Sequence, residues 1–334
     1  MHDNICTEPS GSDMMILGKE APELREISDW IRGPARTIGS CKGMPVVLYF
    51  WDHTCLGCIR GLPFIEALRT AYASAGLVVI GIHAPEYAFA RFLDNAAAAV
   101  ERLGVTMPTA QDDRMASWLL YGNRFMPKVV LIDKGGTAIS EHIGFGNEYD
   151  VERAARTLLG LDDNDVPRPL WTRASKKLPA WDDVSTTASL GFKEVLSFSS
   201  RASDDQTYGI LYRDAGTHED DKAYLDGAWK QYDQYVEHED GNEGYVLIPF
   251  RAQHAYSVMS VYETPVVAEV LLDGRPVPPE LAGEDIVRGE RGKSLVRVDG
   301  GRLYHLVALP AYGRGELTIR CSEKNLQIYN FQFE

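Results

Sequence analysis

Two cysteines separated by two residues, Cys55-Leu56-Gly57-Cys58, are the side chains of this sequence best suited to do chemistry. A pair at this spacing can cycle between dithiol and disulfide, or supply half of a zinc site. A structural zinc takes four ligands, as a rule through a second Cys or His pair. The sequence has no second Cys-x-x-Cys and no His-x3–5-His, which leaves His53 and His83 as the candidates to add ligands. Redox chemistry is therefore the expectation, with no metal and no cofactor beyond the two sulfurs. The chain has five cysteines in all. An odd number with one tight pair is not a disulfide framework, and Cys6, Cys41 and Cys321 read as small, buried or tolerated residues.

The elements around the pair support that chemistry. Pro45 to Phe50 is a short apolar run that reads as a buried strand, and from Cys58 to Ala75 apolar residues recur at three- and four-residue steps, as in a helix. Cys55 then sits where a helix begins. Outward-pointing backbone N–H groups and the helix dipole stabilise negative charge there, so Cys55 is the expected attacking thiolate. Cys58, one turn inward, is placed to resolve a mixed disulfide. Trp51 is expected to pack beside the loop and to help position the substrate. Far downstream, Met126-Pro127 directly precedes another strand, Pro127 to Asp133, as a proline can at a strand start. Arg60, Tyr87 and Trp118 are candidate rim residues, each with an ordinary surface or packing role as the alternative.

Between these landmarks the pattern is α/β. Leu77 to Ile82 is a second apolar strand, Pro85 opens a helix that runs to Leu103, and Met115 to Tyr121 is a short helix. Lys134-Gly135-Gly136 turns the chain into a strand from Ala138 to Ile143, and Tyr149 to Leu159 is amphipathic. Beyond Gly160 the helical period disappears. Acidic, Pro-punctuated sequence suggests a linker over 161–185, followed by short β-type runs at Glu194–Phe198, Tyr245–Phe250, Ser257–Tyr262, Val266–Leu272, Leu303–Leu309, Glu316–Arg320 and Ile328–Phe333. The expected organisation is an N-terminal tail (1–14), a redox domain (15–160), the linker (161–185) and a β-sandwich or jelly-roll domain (186–334). At 334 residues, two domains are the natural division.

Composition excludes some functions. A formal net charge of −14 argues against nucleic acid as the main partner. No stretch approaches the roughly 20 apolar residues of a membrane span. The first residues lack a basic start and an apolar core, so no secretory signal is read, and a cytoplasmic protein is expected if Met1 is the native start. A peroxidase needs Pro-x-x-x-Thr/Ser-x-x-Cys, and here Thr54 stands next to Cys55 instead of three residues before it. A binding protein is the other alternative, with Trp229, Tyr232, Tyr235 and Tyr245 available to stack on a glycan.

Phe50-Trp51-Asp52-His53-Thr54-Cys55-Leu56-Gly57-Cys58-Ile59-Arg60-Gly61-Leu62-Pro63 resembles the active segment of the TlpA-like thioredoxin family. Val78-Val79-Ile80-Gly81-Ile82-His83-Ala84-Pro85-Glu86-Tyr87, with Val270 to Val277 and Arg302 to Val307, is similar to the C-terminal region of DipZ proteins. The resemblance implies an α/β thioredoxin fold followed by an all-β domain like carbohydrate-binding modules. It implies redox roles for Cys55 and Cys58, and a cis proline at Pro127 that faces the disulfide and, with Met126, positions an extended substrate. The implied partners are disulfide-bearing proteins and a thiol reductant, and by this resemblance the compartment is extracytoplasmic. Two family positions differ. The buried Asp six residues before the first cysteine is Tyr49, and the Glu three residues after the second is Gly61. Glu86 and His83 become the candidates for proton transfer.

Overall fold

The computed structural model describes residues 16–162, 184–191, 201–205 and 209–334, and the chain divides into two compact units, Met1–Lys176 and Lys177–Glu334. The tail (1–14), residues 163–183 of the linker and the strand expected at Glu194–Phe198 lie outside the described residues.

The first unit contains β1 (Asp29–Arg32), β2 (Val46–Trp51), α1 (Leu56–Tyr72), β3 (Val78–His83), α2 (Leu93–Arg102), β4 (Thr109–Gln111), α3 (Ala116–Leu120), β5 (Lys128–Ile132), β6 (Ala138–Ile143) and α4 (Glu148–Leu159). Its sheet has the order β1-β4-β3-β2-β5-β6. The inner strands β2, β3 and β4 are parallel, and the remaining pairs are antiparallel. All six residues of β2 are buried, which explains the uninterrupted apolar run. Alternation sends Val47, Tyr49 and Trp51 into one core with Leu62, Ile65 and Leu68 of α1, while Val46, Leu48 and Phe50 enter another with Ile80, Ile82, Trp118 and Tyr121. A one-residue slip would exchange these faces, at about 1.5–3 kcal/mol per displaced large side chain.

The helix expected from Pro85 to Leu103 is broken. A 3-10 turn, Ala88–Arg91, is separated from α2 by Phe92, whose backbone is extended, and the Asn95 side chain donates to the Phe89 carbonyl across the gap. β1 and β4 were not evident in the sequence, because three or four mixed residues carry no period. Cys41 and Cys321 are buried.

The second unit is antiparallel throughout. It contains β7 (Ala188–Ser189), β8 (Arg201–Asp205), β9 (Gly209–Tyr212), β10 (Tyr224–Gln231), β11 (Val236–His238), β12 (Gly244–Ser260), β13 (Val266–Leu272), β14 (Arg275–Pro276), β15 (Ile286–Arg288), β16 (Ser294–Val298), β17 (Arg302–Cys321) and β18 (Gln327–Phe333). Strands run β15-β16-β13-β17-β12-β18-β11-β10-β9-β8, with β14 on β13 and β7 on β18. Four runs expected as separate short strands are halves of β12 and β17. Partners step from Ala252–Gly313 to His254–Ala308, so Leu309 to Tyr312 bulge out of a continuing pair. β10 was hidden by Gly227, which has φ +96° and whose missing Cβ would lie 2.7 Å from Gly244 Cα. Trp229, one of the aromatics considered for a glycan, is fully buried in this core, and Tyr245 is held by its hydroxyl on Asp214 Oδ2 at 2.9 Å. Both are structural here. Among the described residues, no helix is long and apolar enough to cross a membrane.

Candidate active site

Cys55 is the N-cap of α1. Its backbone is extended (φ −90°, ψ 114°), its carbonyl accepts Ile59 N–H at 3.0 Å, and its Sγ accepts Cys58 N–H at 3.2 Å. An acceptor side chain at this position satisfies a backbone donor the helix cannot use, and negative charge on the sulfur would strengthen that bond. Cys55 is half-buried and reachable, whereas Cys58 is fully enclosed. Burial, then the adjacent Cys55 sulfur, push the Cys58 thiol well above the ordinary thiol range; the Asp52 backbone N–H works against this.

Opposite the pair, the Met126–Pro127 peptide bond is cis. The Pro127 ring lies against the loop, since a Cβ at Gly57 would be 3.4 Å from Pro127 Cδ. Pro127 also lines a shallow cleft with Tyr49, Gly61, Phe64, Phe145 and Glu148. Met126 is partly buried against both cores of this unit.

Tyr49 and Gly61 fit each other. The Tyr49 hydroxyl donates to the Cys58 carbonyl at 2.7 Å, and a Cβ at position 61 would fall 2.5 Å from that hydroxyl. Burial, then the cysteines, raise Tyr49 far above the usual phenol value, so it serves as a fixed donor.

Trp51, expected to help position the substrate, is fully buried, so it supports the site from within and cannot touch a substrate. Its ring packs edge-on against His83, 5.3 Å between centroids. Tyr87 and Trp118 are buried packing residues, stacked on Phe89 and edge-on to Phe50 respectively. The Arg60 guanidinium lies over Phe145 at 5.3 Å. Glu86 is exposed at residue level, and its backbone N–H donates to Asp52 Oδ2 at 2.9 Å. His83 is fully buried and takes part in a cluster the sequence did not disclose.

That cluster is Asp52, His53 and His83, with Gln111 behind it. His53 Nδ1 lies 2.9 Å from His83 Nε2, and His83 Nδ1 lies 2.9 Å from Gln111 Oε1. Thr54 Oγ1 donates to Asp52 Oδ2 at 2.7 Å, so the hydroxyl next to Cys55 is committed inward. The Asp52 carboxyl is held well below its usual range: burial opposes ionisation, but the hydrogen bond from His83 and the charges of His53 and His83 outweigh it. The three donor sets form the one group of metal-ligand type among the described residues. The signal missed was register. Trp51 pairs with His83 and His83 with Gln111 across three parallel strands, which single-sequence periodicity cannot show.

Residues 18–158 match the Redoxin family and residues 188–333 the family described as thioredoxin like C-terminal domain. Protein DipZ of Mycobacterium tuberculosis is 30% identical over 282 residues, covering 81% of this chain and 39% of that protein. The chain thus spans about two fifths of the DipZ length. Thiol-disulfide oxidoreductase ResA of Bacillus thuringiensis is 30% identical over 140 residues, covering 42% of this chain and 77% of ResA. A solved thiol:disulfide interchange protein DsbE of Chlorobium tepidum is 22% identical with a TM-score of 0.39, covering 44% of this chain and 99% of that one. With a half-exposed N-cap cysteine over an enclosed partner and a cis proline against their loop, the chain belongs to the TlpA-like thioredoxin family.

Proposed function

We infer that this protein is a thiol–disulfide oxidoreductase acting on protein disulfides. The observation that carries the reading is the asymmetry of the pair: Cys55 is accessible with its sulfur on a helix N-terminus, and Cys58 is enclosed within hydrogen-bonding distance of it. The Cys55 thiolate attacks one sulfur of a substrate disulfide. A new S–S bond forms, the substrate bond breaks, and the first substrate thiolate leaves. Cys58 then loses its proton and attacks Cys55, releasing the second substrate thiolate and leaving the Cys55–Cys58 disulfide. A thiol reductant restores the dithiol. Pro127 and Met126 line the approach to Cys55 and position an extended substrate.

Insulin reduction tests this. Cys55→Ser abolishes activity, and Cys58→Ser accumulates mixed disulfides. Variants that both match wild type would remove the reading. The midpoint potential of the pair fixes the direction, since about 30 mV is a tenfold change in equilibrium constant. Fractionation of the source cells separates a cytoplasmic from an extracytoplasmic protein.

A further inference from the structure

Behind the cysteine loop, Asp52, His53 and His83 are each fully buried. The two imidazoles lie within 14° of one plane, centroids 5.1 Å apart, with 2.9 Å between His53 Nδ1 and His83 Nε2. That N···N separation and the two ring radii nearly fill the distance between centroids, so the nitrogens meet head-on and in plane. Imidazoles sharing a proton meet this way, whereas two ligands of one ion point at a common third position. Asp52 Oδ1 lies beside the contact, 3.3 Å from His53 Nδ1 and 3.2 Å from His83 Nε2, and has no other hydrogen-bond partner.

Charge decides what the cluster contains. An enclosed carboxylate is costly unless paired, and among the described residues the ion-pair partners of Asp52 are these two histidines. A divalent ion would leave a net positive charge in the enclosure, whereas one proton brings it to zero. Gln111 sends its amide N–H groups to the Ala90 and Arg91 carbonyls, so its Oε1 makes His83 Nδ1 a donor. His83 Nε2 then faces His53 across the shared proton, and a proton added on His53 passes its charge to His83 by a shift along that bond.

We propose that His53 and His83 hold one extra proton between them, that it cancels the Asp52 charge, and that this neutral triad is a positioning device for the resolving thiol of Cys58. The inference rests on the redox reading above. The link to Cys58 runs through the loop: the Asp52 carbonyl accepts Cys55 N–H at 3.3 Å, and the Cys55 sulfur accepts Cys58 N–H at 3.2 Å. Without the extra proton, the Asp52 charge opposes a thiolate at Cys58. The other titratable residues bonded to the triad or to Gln111 behind it are Cys55 before α1, Glu86 and Arg91 after β3, and Asp112 after β4, with Cys58 one bond beyond Cys55.

Long-range proton–nitrogen NMR spectra of the full chain, labelled at histidine nitrogen, read the charge of each ring. The expected wild-type spectrum at neutral pH shows one imidazolium, on one ring or averaged over His53 and His83, and Asp52→Asn shows both neutral. The resolving step is then timed against pH with a small aromatic disulfide. His83→Gln, which removes one of the two rings that hold the proton against Asp52, slows it about tenfold. Asp52→Asn removes the inflection that the pair puts into the wild-type profile. Two neutral rings in the wild type, or a stoichiometric metal in the purified protein, overturns the proposal whatever the variants do. Wild-type protein that fails to reduce insulin overturns the redox reading instead, and the spectra still decide the charge of the pair.

Discussion

Gly61→Ala and Tyr49→Phe should be harmful singly and nearly silent together. A methyl at position 61 would stand 2.5 Å from the Tyr49 hydroxyl, which is fully buried at the end of a rigid ring and donates to the Cys58 carbonyl. The phenol must move, at an overpacking cost of about 2 kcal/mol plus about 1 kcal/mol for the lost hydrogen bond. Alanine in place of glycine within a helix returns about 1 kcal/mol. The net for Gly61→Ala is about 2 kcal/mol of destabilisation. Tyr49→Phe loses only the hydrogen bond, about 1 kcal/mol. In the double variant the nearest atom to the new methyl is the ring carbon at 3.4 Å, an ordinary contact. The hydrogen-bond loss and the helix gain then offset, so the double variant sits near wild type, and the two changes couple by about 3 kcal/mol. Urea denaturation of the four proteins, following the transition of the first unit, measures this cycle. Additive single effects would show that Gly61 is not there to admit the phenol.

Three further outcomes follow from the geometry. Glu66 on α1 accepts N–H groups of Thr106 and Met107, the Thr106 hydroxyl at 2.7 Å and Arg69 at 3.0 Å; burial opposes its charge, but the Thr106 bonds and then the others hold its carboxyl below the usual value. Its contribution is present above the unfolded glutamate range and lost as pH falls through the lowered folded value, so Glu66→Gln costs about 1–2 kcal/mol at pH 7 and flattens the acid limb of urea midpoints. In the second unit His218 is clamped by Asp214 at 2.8 Å and Glu316 at 3.0 Å; burial opposes its charge, but Asp214 and then Glu316 raise it, while Asp214 is itself lowered by Gly216 N–H and His218 against its burial. The His218 contribution is complete below the unfolded imidazole range and disappears as pH rises through the raised value, and that of Asp214 fails toward acid, so melting scans of His218→Gln should differ from wild type by about 1 kcal/mol near pH 5.5 and converge with it on the alkaline side. Gly283→Ala puts a Cβ 2.2 Å from the His305 carbonyl oxygen, a backbone atom that cannot swing aside, and should cost about 3 kcal/mol, read as loss of the second unit's cooperative melting transition.

What could be read from residues alone follows from how far each signal reaches along the chain. Val46 to Trp51, Val78 to His83 and Lys128 to Ile132 announce themselves because both faces of each strand are covered. Cys55 and Cys58 needed only a strand before them and a helix after. The strands of the second unit were found where Val266 to Leu272 is rich in Val and Leu, and lost in β10, where Asp226-Gly227 interrupts the run. β17 was split because Pro310, Gly313 and Gly315 look like a turn, while in space they are a bulge beside β12. The Tyr49–Gly61 departures were legible one at a time, but their fit depends on strand-to-helix distance, which no local pattern encodes.

The triad shows why the polar half of such a site is the harder half to foresee. β2, β3 and β4 run parallel, so all three end at the same edge of the sheet, the edge from which the cysteine loop departs. Asp52 and His53 follow β2, His83 closes β3 and Gln111 closes β4. A polar residue added at the end of any of them arrives beside the others without disturbing the apolar alternation of the strands. An acid can therefore be absent at position 49, whose side chain faces α1, and be present at 52, where the strand has already ended. The fold fixes where charge can be gathered; the strand-end residues, acting across chain separations of up to sixty positions, decide which group carries it. If His53 and His83 prove uncharged in the intact protein, that division of labour fails at its central point, because a buried Asp52 would then stand ionised with nothing to balance it.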